Sequence, residues 1–258
     1  AAPAPAVSAD KLPTAIAGAL RVAVAAGNPA AEYEIGMRYS EGRGVPVDLE
    51  VATQWFERAA THGLAPAQYR LGSLYEKGQG VKKDLNKART LYLQAAEKGN
   101  AKAIHNLAVL YAEGIDGKPD YTSAVQWFRQ AAQRGIADSQ YNLGVLCARG
   151  LGTDKDFGES YKWFALAAAR GDMESAKKRD EVGSRLDPEA LAAAQQAVKS
   201  FVPEPQPEEA TAVPKPPDGW DNADGSTPPA AAPAKPKAHS QPAPHAPLSL
   251  GSFTVGKR

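Results

Sequence analysis

Five glycines, Gly27, Gly63, Gly99, Gly135 and Gly171, stand 36 residues apart along the chain. The same step relates Trp55, Leu91, Trp127 and Trp163, and with them Phe56, Tyr92, Phe128 and Phe164. It also relates Ile35, Leu71, Leu107 and Leu143, and the acids Asp48, Asp84, Asp120 and Asp156. So many positions in one register define a tandem array. An array confines the fold, because each unit must bury its apolar face against the next.

Each unit reads as two helices. In AQYRLGSLYEKG (67–78), Ala67, Leu71, Leu74 and Tyr75 form a helical stripe, not a strand alternation. Gly78 and Gly80 break that helix. Asp84 then opens a second one, DLNKARTLYLQAAEKG, where its carboxylate can accept first-turn N–H groups. Gly99 ends it in a left-handed C-terminal position. The residue before that glycine is His62, Lys98, Arg134 or Arg170, a cation at the negative end of the helix dipole. Gly36, Gly72, Ala108 and Gly144 lack bulk in mid-helix, at a cost of about 1 kcal/mol for Gly against Ala. That cost is offset if the paired helix crosses there at close range.

These patterns predict an all-α fold: an α-solenoid over 13–201, with four full repeats at about 27–170 and capping helices at 13–26 and 172–201. LPTAIAGALRVAVAAG (12–27) occupies a second-helix position and caps the start. After Gly171, Arg179 and Asp180 replace the Leu and Gly of earlier units, giving the polar outer face of a terminal repeat. LDPEALAAAQQAVKSF (186–201) closes the array, with Asp187 as cap and Pro188 at the first helical position. Residues 1–12 are expected to be disordered. From Pro203 onward 13 of 56 residues are proline, so 202–258 is expected as an extended, mobile tail. Within it PPDGWD (216–221) is expected to expose a tryptophan, and LSLGSFTVGKR (248–258) is apolar; each is either a docking motif or part of a linker.

The position a residue occupies in the repeat also tests it for chemistry. Cys147, the single cysteine, shares its position with Tyr39, Tyr75 and Tyr111, which marks it as core and not as a nucleophile. His105 is one member of an otherwise tyrosine row, Tyr33, Tyr69 and Tyr141. His62 lies in another position, and no carboxylate is spaced to complete a metal site or a triad. The G-x-G pairs follow helices, so they are helix stops and not phosphate loops. Trp55, Trp127 and Trp163 read as core. No catalytic, metal or cofactor site is expected. A net charge of +1 gives no footprint for nucleic acid, and no apolar run approaches the roughly 20 residues of a membrane span. The opening AAPAPAVSADK has neither Met nor a signal peptide, which suggests a mature product or a fragment.

The phrase AA-x-x-G-x-x-x-A-x-x-x-L-G-x-x-Y-x-x-G-x-G-V-x-x-D-x-x-x-A-x-x-W-F recurs over about residues 25 to 182. It resembles the Sel1-like repeat family, a branch of the tetratricopeptide superfamily. The third unit departs slightly, with EGIDGKPD (113–120) against EGRGVPVD (41–48) in the first. The resemblance implies a right-handed superhelix whose first helices line a concave groove. By that analogy Tyr33, Tyr69, His105 and Tyr141 point inward, beside a row that includes Arg70, Asn106 and Asn142. Such a lining suits an extended peptide or short helix of a partner protein. Alternatively, the tyrosine row packs between neighbouring repeats.

YRLGSLYEKGQGVKKDL, AIHNLAVLYAEGIDGKPDY, DSQYNLGVL and SYKWFALAAARGD are more narrowly similar to the periplasmic part of the polar-organelle-development scaffold of alphaproteobacteria (the PodJ family). That resemblance implies the extracytoplasmic part of an inner-membrane protein at the cell pole, with peptidoglycan-associated proteins among candidate partners. The peptidoglycan-binding domain that often ends such scaffolds is not legible here. Two other readings stay open. One is a periplasmic regulator that inhibits a sensor kinase by binding it. The other is a wall-fragment- or β-lactam-binding protein, whose relatives carry a cysteine pair per repeat where this chain has one cysteine in all.

Overall fold

Four helix pairs follow one another at the 36-residue step: α2 (Pro29–Glu41) with α3 (Leu49–Thr61), α4 (Ala65–Lys77) with α5 (Leu85–Glu97), α6 (Ala101–Glu113) with α7 (Tyr121–Gln133), and α8 (Ala137–Arg149) with α9 (Phe157–Ala168). Before them stands α1 (Gly18–Ala25), and after them α10 (Met173–Gly183), α11 (Pro188–Lys199) and the short α12 (Glu208–Thr211). The structure, a computed structural model, describes residues 7–217 and 219–221. Among the described residues there is no strand, so the chain is an all-helical α-solenoid. It divides into two compact units: residues 7–100 with 207–221, holding α1–α5 and α12, and residues 101–206, holding α6–α11.

Each helix begins and ends where its local chemistry says. Asp48, Asp84, Asp120 and Asp156 accept the backbone N–H of Val51, Lys87, Ser123 and Glu159 at 2.8 to 3.0 Å, satisfying a donor that lacks an intrahelical partner. Gly63, Gly99 and Gly135 turn the chain out of the second helices at φ 81°, 84° and 80°, a region costly for any residue with a Cβ.

The mid-helix glycines mark where the paired helices cross. A Cβ on Gly36 would lie 2.7 Å from the Phe56 ring, one on Gly72 2.8 Å from Tyr92, and one on Gly144 3.0 Å from Phe164. Those three rings are themselves buried, so the missing methyl group is the space each aromatic occupies. In the third repeat Ala108 takes that position, fully buried, in the unit that also buries Phe128. Trp55 and Trp163 are 1% and 2% exposed and belong to the cores of their units. Trp127, expected as core, is only half-buried and packs against the edge of its cluster.

α10 buries only Ser175, Val182 and Gly183, and α11 starts on Asp187, which accepts the Ala190 N–H at 2.8 Å, with Pro188 in the first turn. At the start the helix is shorter than the 13–26 expected. Arg21 folds its guanidinium back onto the carbonyls of Leu12, Pro13 and Ile16, tying residues 12–16 into a turn. Residues 7–12 were expected to be disordered but form part of the fold: Ala9–Lys11 is a 3-10 turn, Leu12 is buried, and Val7 O accepts from Arg58 Nη1 at 2.9 Å. Leu12 and Ile16 add apolar surface to the Leu20–Val24 cluster, and the burial holds the segment down.

Residues 202–217 and 219–221, expected as the start of a mobile tail, carry little regular secondary structure but are not free. In the 101–206 unit Phe201 meets Trp163 edge-on with centroids 5.8 Å apart. There Glu204 N donates to Gln133 O at 2.8 Å, and Gln206 Oε1 accepts the Ala101 N–H at 3.0 Å. In the other unit Asn100 Nδ2 donates to Ala210 O at 2.6 Å and Ala210 is buried. Trp220, expected to be exposed, is 7% exposed, in one cluster with Leu12, Ile16, Leu20 and Ile35, and beside it Asp221 accepts from Arg38 at 2.7 Å. Prolines lower the entropy such a segment loses on ordering, and one indole supplies a large buried face. The expected LSLGSFTVGKR motif and the rest of the tail lie outside the described residues.

Candidate binding surface on the first helices

The row expected to line a groove is a row of rings stacked on the second helix of its own repeat. Tyr33 meets Phe56 with centroids 5.4 Å apart, Tyr69 meets Tyr92 at 6.1 Å, His105 meets Phe128 at 5.8 Å and Tyr141 meets Phe164 at 5.5 Å. The ring stacking is thus within a repeat, over the glycine or alanine that brings the two helices close. Tyr33, Tyr69 and Tyr141 remain half-buried, so part of each ring meets solvent.

Three of the seven expected contact residues are interior. His105 is 4% exposed and its Nδ1 lies 2.7 Å from Ser139 Oγ on α8. Asn106 and Asn142 are 6% and 0% exposed. Helical phase alone does not distinguish an inward face that meets a groove from one that meets the next helix. The neighbour was decisive here, because Ser139 approaches from the following repeat. Arg70 differs from all of these. It is half-exposed and forms no ion pair among the described residues, whereas Glu34, at the same repeat position, is buried and bound by Arg38 at 3.1 Å and Arg43 at 3.0 Å.

In the 7–100 unit the accessible surface is therefore Tyr33, Tyr69 and Arg70, and in the 101–206 unit it is Tyr141. Burial pushes the Tyr69 hydroxyl pKa above its ordinary value, opposed by the Arg70 charge and reinforced by Glu76 and Tyr33. Burial, with Glu174 and Asp172, does the same for Tyr141. Both hydroxyls stay protonated at neutral pH and are available as donors to a carbonyl or carboxylate. Cys147 is buried with its Sγ 3.6 Å from Glu159 Oε2. Burial and then the Glu159 charge push its thiol up to about 12, so the thiol is not a nucleophile at physiological pH. Among the described residues no group of three His, Cys, Asp or Glu side chains is placed to hold a metal, and no helix is long and apolar enough to cross a membrane.

The Sel1 repeat family model matches residues 29–64, 65–100, 101–136 and 137–172, one match per helix pair. This is a Sel1-repeat protein. Among solved structures the chain is similar to a Sel1 repeat protein from Oxalobacter formigenes, at 32% identity and TM-score 0.58, over 69% of this chain and 76% of that one. It also matches c5321, a protective antigen of uropathogenic Escherichia coli displaying an SLR fold, at 20% identity and TM-score 0.37, over 84% and 60% of the two chains. Immunity protein PA5088 from Pseudomonas aeruginosa matches at 16% identity and TM-score 0.31, over 86% and 98%. No curated protein matches the chain. Sel1-repeat proteins generally mediate protein–protein interactions and are typically not catalysts. The family boundaries, at 29 and 65, coincide with the starts of α2 and α4, two residues beyond the expected start at about 27.

Proposed function

We propose that this chain is a non-catalytic protein-binding module whose first helices hold partner peptides or helices, through Tyr33, Tyr69 and Arg70 in the 7–100 unit and, as a surface of its own, through Tyr141 in the 101–206 unit. The observation that carries this reading is the contrast at one repeat position: Glu34 is bound by two arginines, while Arg70 beside the half-buried Tyr69 forms no ion pair among the described residues. An unpaired guanidinium flanked by phenol donors favours a carboxylate-bearing segment. The narrower part of the proposal is a scaffold role at the cell pole, in the periplasm, as the extracytoplasmic part of a membrane-anchored parent, with partners associated with the peptidoglycan. It rests on the stretches quoted above, YRLGSLYEKGQGVKKDL among them.

A crosslinking pull-down with the full chain, wild type against Tyr69→Ala/Arg70→Glu/Tyr141→Ala, tests the binding surface, with circular dichroism checking that both fold. Loss of a specific set of partners from a folded variant is expected; an unchanged set sinks the assignment. A fluorescent fusion of the parent protein tests the location, and uniform envelope fluorescence would overturn the polar role.

A further inference from the structure

One repeat lacks the indole that its fellows carry. Trp55, Trp127 and Trp163 share a position with Leu91, and in the first and fourth repeats the indole is almost completely buried. Trp55 packs with residues of α1 and α2, and Trp163 with residues of α7 and α8, so the position fills the space between a repeat's two helices and the preceding second helix. The same space in the second repeat lies between α3, α4 and α5. A cavity of about 620 Å³ opens there, lined by Ala60 and Thr61 of α3, Gln68 and Leu71 of α4, and Thr90 and Leu91 of α5. Cavities of about 300–1,000 Å³ are the size that receives small organic ligands.

The lining has the shape of the missing indole and a cationic edge. Gln68 is buried and its Nε2 donates to Ala60 O at 3.3 Å, as Gln140 Nε2 does to Ala132 O at 3.1 Å in the fourth repeat, so this glutamine is part of the shared frame. In the fourth repeat the Trp163 N–H donates to Glu159 at 3.1 Å; the matching residue of the second repeat is Lys87, which cannot accept. Lys87 lies over the Tyr75 ring at 4.9 Å, and Lys87 and Arg89, both exposed on the cavity's edge, have no carboxylate partner among the described residues. Glu57 is the one acid among the lining residues, so cations outnumber it two to one.

We infer that the space between α3, α4 and α5 is a recognition pocket for an aromatic side chain, indole above all, presented by an acidic peptide segment of a partner protein. The ring takes the place that Trp55 and Trp163 occupy in their own repeats, and flanking carboxylates meet Lys87 and Arg89. The pocket uses none of the first-helix residues assigned above, so each assignment can fail without the other.

The test is a titration of the ¹⁵N-labelled full chain by NMR with two blocked pentapeptides, acetyl-Asp-Asp-Trp-Asp-Asp-amide and acetyl-Lys-Lys-Trp-Lys-Lys-amide. The acidic probe is expected to shift the Thr61, Thr90 and Gln94 amides and the Gln68 side-chain amide, and to bind roughly tenfold more tightly than the basic probe at low salt. Leu91→Trp fills the pocket from within; it is expected to abolish these shifts and to raise the melting temperature. Should Leu91→Trp not fold, Leu91→Phe is expected to weaken binding by at least several-fold. No shifts at those residues, or shifts unchanged in a folded Leu91→Trp or Leu91→Phe chain, would overturn the proposal. Equal binding of the two probes would overturn its acidic component.

Discussion

The second and fourth repeats share a template and differ in how it is finished. In the fourth, Trp163 is sealed: its ring meets Phe201 edge-on, and its N–H donates to Glu159, which Arg129 also binds. In the second, Leu91 is half-buried beside an open cavity, and Lys87 stands where Glu159 would be. The helix pair is the same in both, because the contacts that define it lie elsewhere. Asp84 and Asp156 start the second helices, and Gly72 and Gly144 admit Tyr92 and Phe164. A repeat can therefore vary the side facing its predecessor without losing its geometry, and that is where a binding site can be opened in an otherwise structural module.

The contrast should appear first in stability. Trp163→Ala is expected to cost about 3–5 kcal/mol, while Leu91→Ala costs about 1 kcal/mol, because it removes half-buried atoms beside space that is already open. Urea denaturation measures both, and equal costs would erase the distinction between a sealed and an open repeat. The shared part of the template is probed by Gly72→Val and Gly144→Val, each expected to destabilise by roughly 1–3 kcal/mol through overpacking against Tyr92 and Phe164. A Gly72→Val chain as stable as wild type would mean that the second repeat is loose at its crossing as well as at its cavity.

The smallest effect is electrostatic and confined to the fourth repeat. Burial opposes ionisation of Glu159, but hydrogen bonds from Arg129 and Trp163 together with the Arg129 charge outweigh it, so the carboxyl titrates below its ordinary 4.5. A depressed carboxyl contributes stability that is present above the unfolded value and lost as pH falls through the folded one. Wild type is therefore expected to exceed Glu159→Gln in urea midpoint near neutral pH and to converge with it in acid below 4.5. The pair is partly exposed, so the gap is about 1 kcal/mol or less. A gap that persists into strong acid would assign the effect to packing and not to charge.

Much of the fold was legible because its signals are local and repeated. The Asp caps, the left-handed glycines and the bulk-free crossings each state a short-range requirement, and four copies in register remove ambiguity. The candidate surface was legible only in part. Helical phase put Tyr33, Tyr69, His105 and Tyr141 on one face, but one ring of the four was to be interior: Ser139 seals His105 where the tyrosines stay half-open. The unpaired state of Arg70 also depends on what the neighbouring side chains do. The cavity did have a signal in the sequence, Leu91 among tryptophans, but a smaller residue alone does not say whether the gap stays open or collapses.

The proline-rich segment separates the two levels most sharply. Its composition predicted an extended backbone with little apolar surface to bury, and residues 202–207 form neither helix nor strand. Composition could not show that Trp220 has a receptor, since Leu12, Ile16, Leu20 and Ile35 are some 200 positions away in sequence and come together only in the folded unit. The sequence by itself determined the helix pairs, their length, their caps and their crossing points, because those depend on contacts within 36 residues. Tertiary structure alone decided which faces are covered, which charge lacks a partner and which gap remains. Each of those depends on how side chains from different helices settle against one another, which the repeat pattern does not specify.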